Sequence, residues 1–249
     1  MNSSQANPLS LHGKKALVVG GSSGIGNAIA QKLRAFGADV HVWGTRPSAN
    51  DYEGVEGSDL TGLGYTQIDV ADGDAVKNVA VPFDALDVLV LSQGVVLYKR
   101  QEFEIEGFRR VVDINLNSLM SCAARFHDAL AASKGSIVII SSAGGIRATR
   151  GNPAYGASKA AAIGLVKTLA QAWAHEGIRV NGVAPGLVDT KLTKVTVANP
   201  ERLRERLEGI PLGRLGTTEE IAGIALFLVS PLAGYVVGDT IVADGGRTL

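Results

Sequence analysis

Short runs of Val, Ile and Leu alternate with helical patterns along the chain, and no other feature constrains the fold as much. The runs are nearly continuous in apolar residues, which is typical of strands covered on both faces. They predict strands at Lys15–Gly20, Asp39–Gly44, Leu86–Ser92, Ser136–Ser141, Arg179–Ala184 and Thr240–Ala243, with a weaker candidate at Gly64–Asp69. Strands of this kind need a layer of helices on each side of their sheet.

Amphipathic patterns between these runs supply such helices. They predict helices at Ile25–Phe36, Asp72–Ala80, Glu106–Ala132, Pro153–His175 and Thr218–Leu228. Alternating β and α units with right-handed crossovers build a parallel sheet with helices on both faces. We therefore expect an α/β fold with one doubly wound parallel sheet of about seven strands.

Two long stretches interrupt the alternation without dividing the chain, because no proline-rich linker or change in composition accompanies them. Pro47–Leu63 has no helical stripe and is predicted to be a surface loop. Gly186–Gly216 contains a charged helical segment at Pro200–Glu208, and loops of this length are often lids over a binding site. We expect one domain over residues 1–249, with a lid at 186–216; the alternative is that 186–216 is a variable connector.

The charge balance and the cysteine content exclude several classes of function. Lys and Arg number 24, as do Asp and Glu, so no basic stripe is available for nucleic acid. The single Cys122 cannot form an internal disulfide or, by itself, a zinc site. Met1–His12 is polar, and no run approaches the ~18 apolar residues that span a bilayer. We expect a soluble, cytoplasmic protein with no metal and no membrane partner.

The first predicted strand ends in a glycine-rich turn that leads directly into a helix. The turn reads Gly20-Gly21-Ser22-Ser23-Gly24-Ile25-Gly26, with the spacing G-x-x-x-G-x-G. Glycines at this junction let backbone N–H groups approach a pyrophosphate, and the helix N-terminus adds positive partial charge. In so glycine-rich a chain such a turn also arises by chance, but its place after the first strand predicts a dinucleotide site.

A tyrosine and a lysine share one face near the start of the fourth predicted helix. Tyr155 and Lys159 are four residues apart, and a nearby cation stabilises a phenolate. The alternative is an ordinary surface pair. Ser141 and Ser142 end the preceding strand, at the edge where parallel sheets bind ligands. A polar site at this edge is therefore predicted.

Together these residues resemble the classical short-chain dehydrogenase/reductase family over about residues 9–249. The matching elements are the glycine turn, Asn115, Ser142 thirteen residues before Tyr155, Lys159, Asp69-Val70, Arg179-Val180-Asn181 leading to Pro185-Gly186, and Asp244-Gly245-Gly246. The resemblance implies a Rossmann-like single domain that moves hydride between a nicotinamide and an alcohol or carbonyl.

The family pattern also implies a role for each matching residue. Tyr155 is the general acid in reduction and the general base in oxidation. Lys159 lowers the pKa of that tyrosine and holds the nicotinamide ribose, while Ser142 hydrogen-bonds the substrate oxygen, with Ser141 as the neighbouring alternative. Asn115 holds a water that links Lys159 to solvent. The implied cofactor contacts are Gly20, Ser22, Ser23, Gly24, Ile25, Gly26, Thr45, Arg46, Asp69, Val70, Gly94, Tyr155, Lys159, Pro185, Gly186, Val188 and Thr190.

The sequence departs from the family pattern after the fourth predicted strand. The usual Asn-Asn-Ala-Gly is replaced by Leu91-Ser92-Gln93-Gly94, and Val19 stands where Thr is usual before the glycine turn. These changes affect the packing on the adenine side of the implied cofactor site and the contacts that support the sheet.

The end of the second predicted strand bears on the choice of nicotinamide cofactor. An acidic residue there binds the ribose 2′-hydroxyl of NAD. This chain has Gly44 at that position, followed by Thr45 and Arg46, with no carboxylate until Asp51. We expect a preference for NADP(H), through Arg46, over the alternative NAD(H).

The leading functional expectation is a carbonyl reductase or alcohol dehydrogenase that acts on a small or medium apolar ketone or secondary alcohol. A 3-oxoacyl-(acyl-carrier-protein) reductase is the alternative, although Ser133, Lys134 and Glu176 provide only one cation where such enzymes dock an acidic carrier. A silent dinucleotide sensor is a third reading, and the intact catalytic residues disfavour it.

As in the family, a homotetramer is expected, and alanines along Pro153–His175 permit close helix packing.

Overall fold

A computed structural model of the chain describes residues 7–80 and 83–249, and a parallel sheet lies at its centre. Within the described residues the sheet has seven strands in the order β3-β2-β1-β4-β5-β6-β7. The strands are β1 Lys15–Val19, β2 Asp39–Gly44, β3 Gly64–Gln67, β4 Val88–Leu91, β5 Ser136–Ile140, β6 Arg179–Pro185 and β7 Thr240–Ala243. The predicted parallel sheet is confirmed, including the weak candidate that became β3.

Helices cover both faces of this sheet, as the nearly continuous apolar strands require. They are α1 Gly24–Ala35, α2 Gly73–Asn78, α3 Ile105–Val112, α4 Ser118–Arg125, α5 His127–Ser133, α6 Pro153–Trp173, α7 Lys194–Val197, α8 Pro200–Glu208 and α9 Thr218–Val229. One core contains Ile29 and Leu33 of α1 with Ile221 and Leu226 of α9. The other core lies on the opposite face and contains residues of α4, α5 and α6. The doubly wound α/β class is confirmed.

The helix predicted at Glu106–Ala132 is not continuous in the structure. A π-helical turn at Asp113–Asn117 separates α3 from α4, and Phe126 leaves helical geometry between α4 and α5. A π turn inserts an extra residue into the helix and is frequent at functional sites. Here it brings Asn115 to a fully buried position. The apolar pattern did not reveal the break, because the core-facing stripe resumes on its far side.

The segment Pro47–Leu63 is more ordered than the predicted surface loop. It contains a 3₁₀ turn at Ala49–Tyr52, in which the Ser48 hydroxyl and the Asp51 carboxylate form a capping box. Tyr52 is buried, and its ring meets that of Tyr65 edge-on at a centroid distance of 5.8 Å. The segment therefore packs against the carboxyl end of β2.

The order of the strands reverses at β1, with β2 on one side and β4 on the other. A crevice forms outside the carboxyl ends of the strands at such a reversal. Two backbone hydrogen bonds stabilise the base of the crevice: Gly20 N donates to Trp43 O at 3.1 Å, and Ser92 N donates to Val19 O at 2.9 Å. The glycine turn and the segment after β4 thus pack against each other at the base of the crevice.

Candidate active site

A cleft of about 580 Å³ opens at this crevice and gathers almost all of the predicted site residues. Those that line it are Gly20, Ser22, Ser23, Gly24, Ile25, Gly26, Thr45, Asp69, Val70, Gly94, Ser142, Tyr155, Lys159, Pro185, Gly186, Val188 and Thr190. Asn115 lies behind the wall of the cleft and Arg46 lies beside it. The cleft is lined from the turn after β1 to the loop after β6.

The glycine turn at one end of the cleft has no room for side chains. Gly20 has a φ of +74°, and a Cβ on Gly26 would overlap the Gly20 carbonyl oxygen. Ser23 caps α1 without a side-chain hydrogen bond, and the first turn of α1 contains no acidic residue. The positive end of α1 therefore faces the cleft, and this cradle fits the pyrophosphate of a dinucleotide.

Two tyrosines organise the segment that follows β2. The Tyr52 hydroxyl oxygen accepts hydrogen bonds from Thr45 N and Arg46 N, each at 3.2 Å, and the Tyr65 hydroxyl donates to Arg46 O at 2.5 Å. The Arg46 guanidinium lies 4.7 Å from the centre of the Tyr52 ring and donates to the carbonyl of Asp51. The Arg46 side chain thus rests at the edge of the cleft rather than in its wall.

Ser142 and Tyr155 meet at the other end of the cleft. The Ser142 hydroxyl accepts a hydrogen bond from Gly144 N at 3.0 Å and also contacts the Tyr155 phenol. Burial raises the pKa of Tyr155, and the Ser142 hydrogen bond opposes that rise. Ser141, the alternative considered from sequence, donates instead to Lys159 O at 2.7 Å. Of the two serines, only Ser142 presents its hydroxyl to the phenol.

Lys159 lies one turn beyond Tyr155 on α6, and its ammonium is buried. Its Nζ donates to Ile140 O at 2.8 Å and lies 5.9 Å from the centre of the Tyr155 ring. Burial lowers the pKa of Lys159 to about 8. A buried ammonium with one protein partner has hydrogen-bond donors left for a ligand in the cleft.

Asn115 fixes the wall behind Lys159. Its Oδ1 accepts from Val95 N at 2.8 Å, and its Nδ2 donates to Val95 O at 2.9 Å and to Ser158 Oγ at 3.2 Å. A Cβ on Gly94 would lie 3.4 Å from Lys159 Nζ and 3.5 Å from Asn115 Oδ1. Gly94 therefore leaves open the space that these two polar atoms share.

Largely apolar side chains line the substrate end of the cleft. Val95 and Tyr98 follow β4, and Leu192 lies on the long segment after β6. The Tyr98 hydroxyl donates to Leu192 O at 2.5 Å and so bridges the cleft. Arg147, on the loop after β5, is exposed and donates to Arg247 O at 2.9 Å. This part of the wall is therefore largely apolar, although Lys191 beside Leu192 also lines the cleft.

Two polar residues of the site were not found from the sequence. The Thr193 hydroxyl donates to Val188 O at 2.7 Å and shapes the base of the segment after β6. Glu102 is buried beneath the N-terminus of α6, where Tyr155 N donates to it at 2.9 Å. The burial of Glu102 has no signal in its spacing, because it depends on donors about 50 residues away in the chain, whereas the contacts of Thr193 with Val188 and Thr190 are local.

The described part of the chain contains no cluster of three metal-binding side chains and no helix long and apolar enough to cross a membrane.

Comparisons with known proteins agree with this geometry. A family model described as enoyl-(acyl carrier protein) reductase matches residues 19–248. The chain is 38% identical over 244 residues to a 3-oxoacyl-[acyl-carrier-protein] reductase FabG of Chlamydia muridarum, covering 94% of this chain and 96% of the relative. It is 36% identical over 249 residues to a 2-dehydro-3-deoxy-D-gluconate 5-dehydrogenase of Bacillus subtilis, covering 95% of each.

A solved structure supports the same relationship. An Agrobacterium tumefaciens protein with bound NADP, a candidate 2-deoxy-D-gluconate 3-dehydrogenase, superposes with a TM-score of 0.87 at 37% identity. The match covers 97% of this chain and 99% of the other.

Proposed function

The chain belongs to the classical short-chain dehydrogenase/reductase family of oxidoreductases, and from this premise we propose that it is an NADP(H)-dependent carbonyl reductase or alcohol dehydrogenase. Its substrate is a small or medium apolar ketone or the corresponding secondary alcohol. One observation carries the proposal: Ser142, Tyr155 and Lys159 meet at one end of the cleft that begins at the glycine turn. The nicotinamide, when bound, supplies or accepts the hydride.

The residues of this chain perform the remaining steps. The Ser142 hydroxyl donates a hydrogen bond to the substrate oxygen and stabilises the charge that develops there. The Tyr155 phenol gives its proton to that oxygen in reduction and takes it back in oxidation. Lys159 holds the nicotinamide ribose and favours the phenolate, while Asn115 keeps Val95 and Ser158 in place behind it.

The cofactor assignment rests on the absence of a carboxylate at the end of β2. Gly44 and Thr45 line the cleft there, and a Cβ on Gly44 would meet Ser22 Oγ at 2.7 Å. Among the residues that the structure describes, Gly44 and Thr45 at the end of β2 carry no carboxylate to repel a 2′-phosphate, and the acidic residue that lines the cleft nearby, Asp69, follows β3. The NADP bound to the related Agrobacterium tumefaciens protein agrees with this preference. NAD(H) remains the alternative.

A panel of ketones and secondary alcohols assayed with NADP(H) and NAD(H) tests the proposal. We expect NADPH oxidation with small apolar ketones, at a kcat/KM above that for substrates with charged groups. No turnover with any member of the panel, together with tight dinucleotide binding, would favour the silent sensor instead.

The similarity to FabG favours a second candidate, a 3-oxoacyl-(acyl-carrier-protein) reductase. The surface near the ends of α5 and α6 does not support it. His127, the first residue of α5, lies between Asp128 and Glu176, at 2.9 and 3.2 Å, and Lys134, after the end of α5, packs against Gly177 beside Glu176. Two carboxylates would repel an acidic carrier. A carrier-bound 3-oxoacyl thioester turned over at least a hundredfold better than its pantetheine analogue would establish this candidate.

We also propose that the chain acts as one domain with a lid at 186–216 and assembles as a homotetramer in the cytoplasm. Ala157, Ala160 and Ala161 are exposed on α6, whereas Ala162 and Ala170 pack inward. The exposed alanines permit the close approach of a partner helix. A monomer in light scattering at micromolar concentration would contradict the assembly, and cell fractionation tests the compartment.

A further inference from the structure

Glu102 lies in a charged segment after β4 but is almost completely buried. Its exposure is 1%, whereas Gln101 and Glu104 on either side of this short stretch are exposed. Glutamate is almost never fully buried unless its charge is compensated. Among the described residues, Glu102 forms no salt bridge with Lys, Arg or His. Its compensation must come from hydrogen bonds and from the helix beside it.

Three donors from two separate segments surround the Glu102 carboxylate. Oε1 accepts from Leu97 N at 3.0 Å and from Asn152 Nδ2 at 3.1 Å, and Oε2 accepts from Tyr155 N at 2.9 Å. Tyr155 is the third residue of α6, so its N–H is one of the free donors of that helix end. The positive end of α6 compensates the buried charge.

This carboxylate replaces the ordinary cap of α6. Asn152 is the N-cap residue, but its side chain makes no capping bond and instead donates to Leu97 O, at 3.1 Å, and to Glu102. Glu102 therefore joins the first turn of α6 to the Leu97–Tyr98 segment. That segment in turn reaches the lid through the Tyr98–Leu192 hydrogen bond.

We propose that Glu102 is a positioning residue for proton transfer. It holds Tyr155 in place beside Ser142 and keeps the Leu97–Tyr98 segment against α6. This inference rests on the proposed function. The carboxylate acts on Tyr155 in two ways, through the backbone that it anchors and through its charge. A misplacement of about 1 Å can cost about a hundredfold in rate, so the anchor matters for turnover.

The charge of Glu102 adds an effect that a purely structural residue would not have. Burial raises the pKa of Tyr155, the Ser142 hydrogen bond lowers it, and the nearby Tyr98 and Glu102 raise it. The Lys159 ammonium, on the same helix, is the cation that faces the ring. Because a carboxylate opposes a phenolate, removal of its charge must lower the pKa of Tyr155.

The test compares Glu102→Gln and Glu102→Asp with the matched control Glu104→Gln, which removes an exposed carboxylate two positions away. We expect Glu102→Gln to lose at least tenfold in kcat and to bind NADPH with a Kd close to that of the wild type. Its pH profile for alcohol oxidation should move to lower pH. Glu102→Asp keeps the charge, but the aspartate side chain is too short to reach both Leu97 N and Tyr155 N. The kcat of this variant should therefore fall while its pH profile for alcohol oxidation stays that of the wild type. Glu104→Gln should change neither quantity.

The outcomes separate this proposal from the proposed function. A wild-type protein that turns over no carbonyl or alcohol contradicts the function itself. If the wild type is active, a wild-type kcat and pH profile in Glu102→Gln overturn the role of Glu102. Should Glu102→Gln not fold, Glu102→Asp decides: unchanged kcat overturns the proposal, and a loss of kcat with an unchanged Kd for NADPH supports it.

Discussion

The cofactor end and the substrate end of the cleft are built in opposite ways. At the cofactor end, backbone packs on backbone: Gly20 and Gly26 have no room for a Cβ, and a Cβ on Gly20 would lie 2.8 Å from Gln93 N. The long segment after β6 supplies Leu192 to the substrate end; farther along this segment α8 has no buried residue and Leu212 is 65% exposed. Hydrogen bonds such as Tyr98–Leu192 attach this segment to the rest of the molecule.

The difference indicates which end can change without loss of the fold. Close backbone packing leaves no space for side chains at the glycine turn, so almost no substitution is tolerated there. The dinucleotide site therefore depends on the same packing that holds the sheet together. Exposed helices with few buried side chains open at low free energy and tolerate variation. We infer that the substrate end sets specificity and can move while the cofactor end stays rigid.

The largest expected effect is at Tyr155, which lies beside Ser142 at the end of the cleft opposite the glycine turn. Tyr155→Phe removes the proton that the reaction transfers, so we expect kcat to fall by about 10²- to 10⁴-fold. The Kd for NADPH, measured by fluorescence titration, should stay within about twofold, because the phenol is not part of the glycine turn. A variant that retains more than a few per cent of the wild-type kcat would contradict the assigned role.

The packing of the cofactor end predicts the next largest effect. Gly26→Ala places a Cβ against the Gly20 carbonyl, and overpacking of this kind costs about 1–3 kcal/mol in the free energy of unfolding. It should also abolish dinucleotide binding. Gly164→Ala is the matched control, because a Cβ there, also within a helix, meets nothing within 4 Å. Urea unfolding should show Gly164→Ala to be more stable than the wild type by about 0.5–1 kcal/mol; equal behaviour of the two variants would contradict the packing argument.

Lys159, one turn beyond Tyr155 on α6, is expected to make the binding of the cofactor depend on pH. Because burial lowers its pKa to about 8, the ammonium is present below that pH and is lost above it. We expect the Kd for NADPH to rise about tenfold between pH 7 and pH 9, since the ammonium makes a charge-assisted hydrogen bond to the ribose that the neutral amine makes only weakly. Lys159→Ala should bind about 10- to 100-fold more weakly at pH 7, and its Kd should no longer change over this range. A variant with the same pH dependence as the wild type would show that another group is responsible.

Substitution of Arg46 tests whether the cofactor site includes this residue at the edge of the cleft. One charge-assisted bond to a 2′-phosphate is worth about 1.5–3 kcal/mol, so Arg46→Ala should reduce the preference for NADP(H) over NAD(H) by about 10- to 100-fold. The guanidinium must leave the Tyr52 ring to reach it. Arg100→Ala is the control, because Arg100 lies 4.5 Å from the centre of the Phe103 ring on the substrate side. The ratio of kcat/KM for the two cofactors is the measurement, and an equal ratio in wild type and Arg46→Ala would contradict this role.

The smallest effect concerns the attachment of the proposed lid at 186–216. Tyr98→Phe removes the hydrogen bond to Leu192 O, a loss of about 0.5–1.5 kcal/mol or roughly 2- to 10-fold. We expect the change in the KM of the ketone and not in the Kd of NADPH. Tyr235→Phe, at a fully exposed tyrosine, should change neither. An effect of Tyr98→Phe on NADPH binding alone would place the residue at the other end of the cleft.

Local patterns in the amino-acid sequence were enough to predict the sheet and the glycine turn, whereas most other residues of the cleft were predicted only through the resemblance to the family. The Val, Ile and Leu runs marked the strands to within about two residues, as with Lys15–Gly20 against the observed Lys15–Val19. The glycine turn and the Tyr155–Lys159 pair depend on conformations set by neighbouring residues, so their spacing is visible in one dimension. Such features can be predicted from the sequence because the interactions that cause them lie within a few residues.

Other features arose only when distant segments came together. The π turn at Asp113–Asn117, the burial of Tyr52 and the burial of Glu102 each depend on partners that the local pattern does not mark. A glutamate between Gln101 and Phe103 has the pattern of a solvated surface residue. It is buried because the N-terminus of α6, about 50 residues later, supplies the N–H of Tyr155. The free energy of a buried charge is set by what surrounds it in space, and the spacing of residues along the chain does not specify those surroundings.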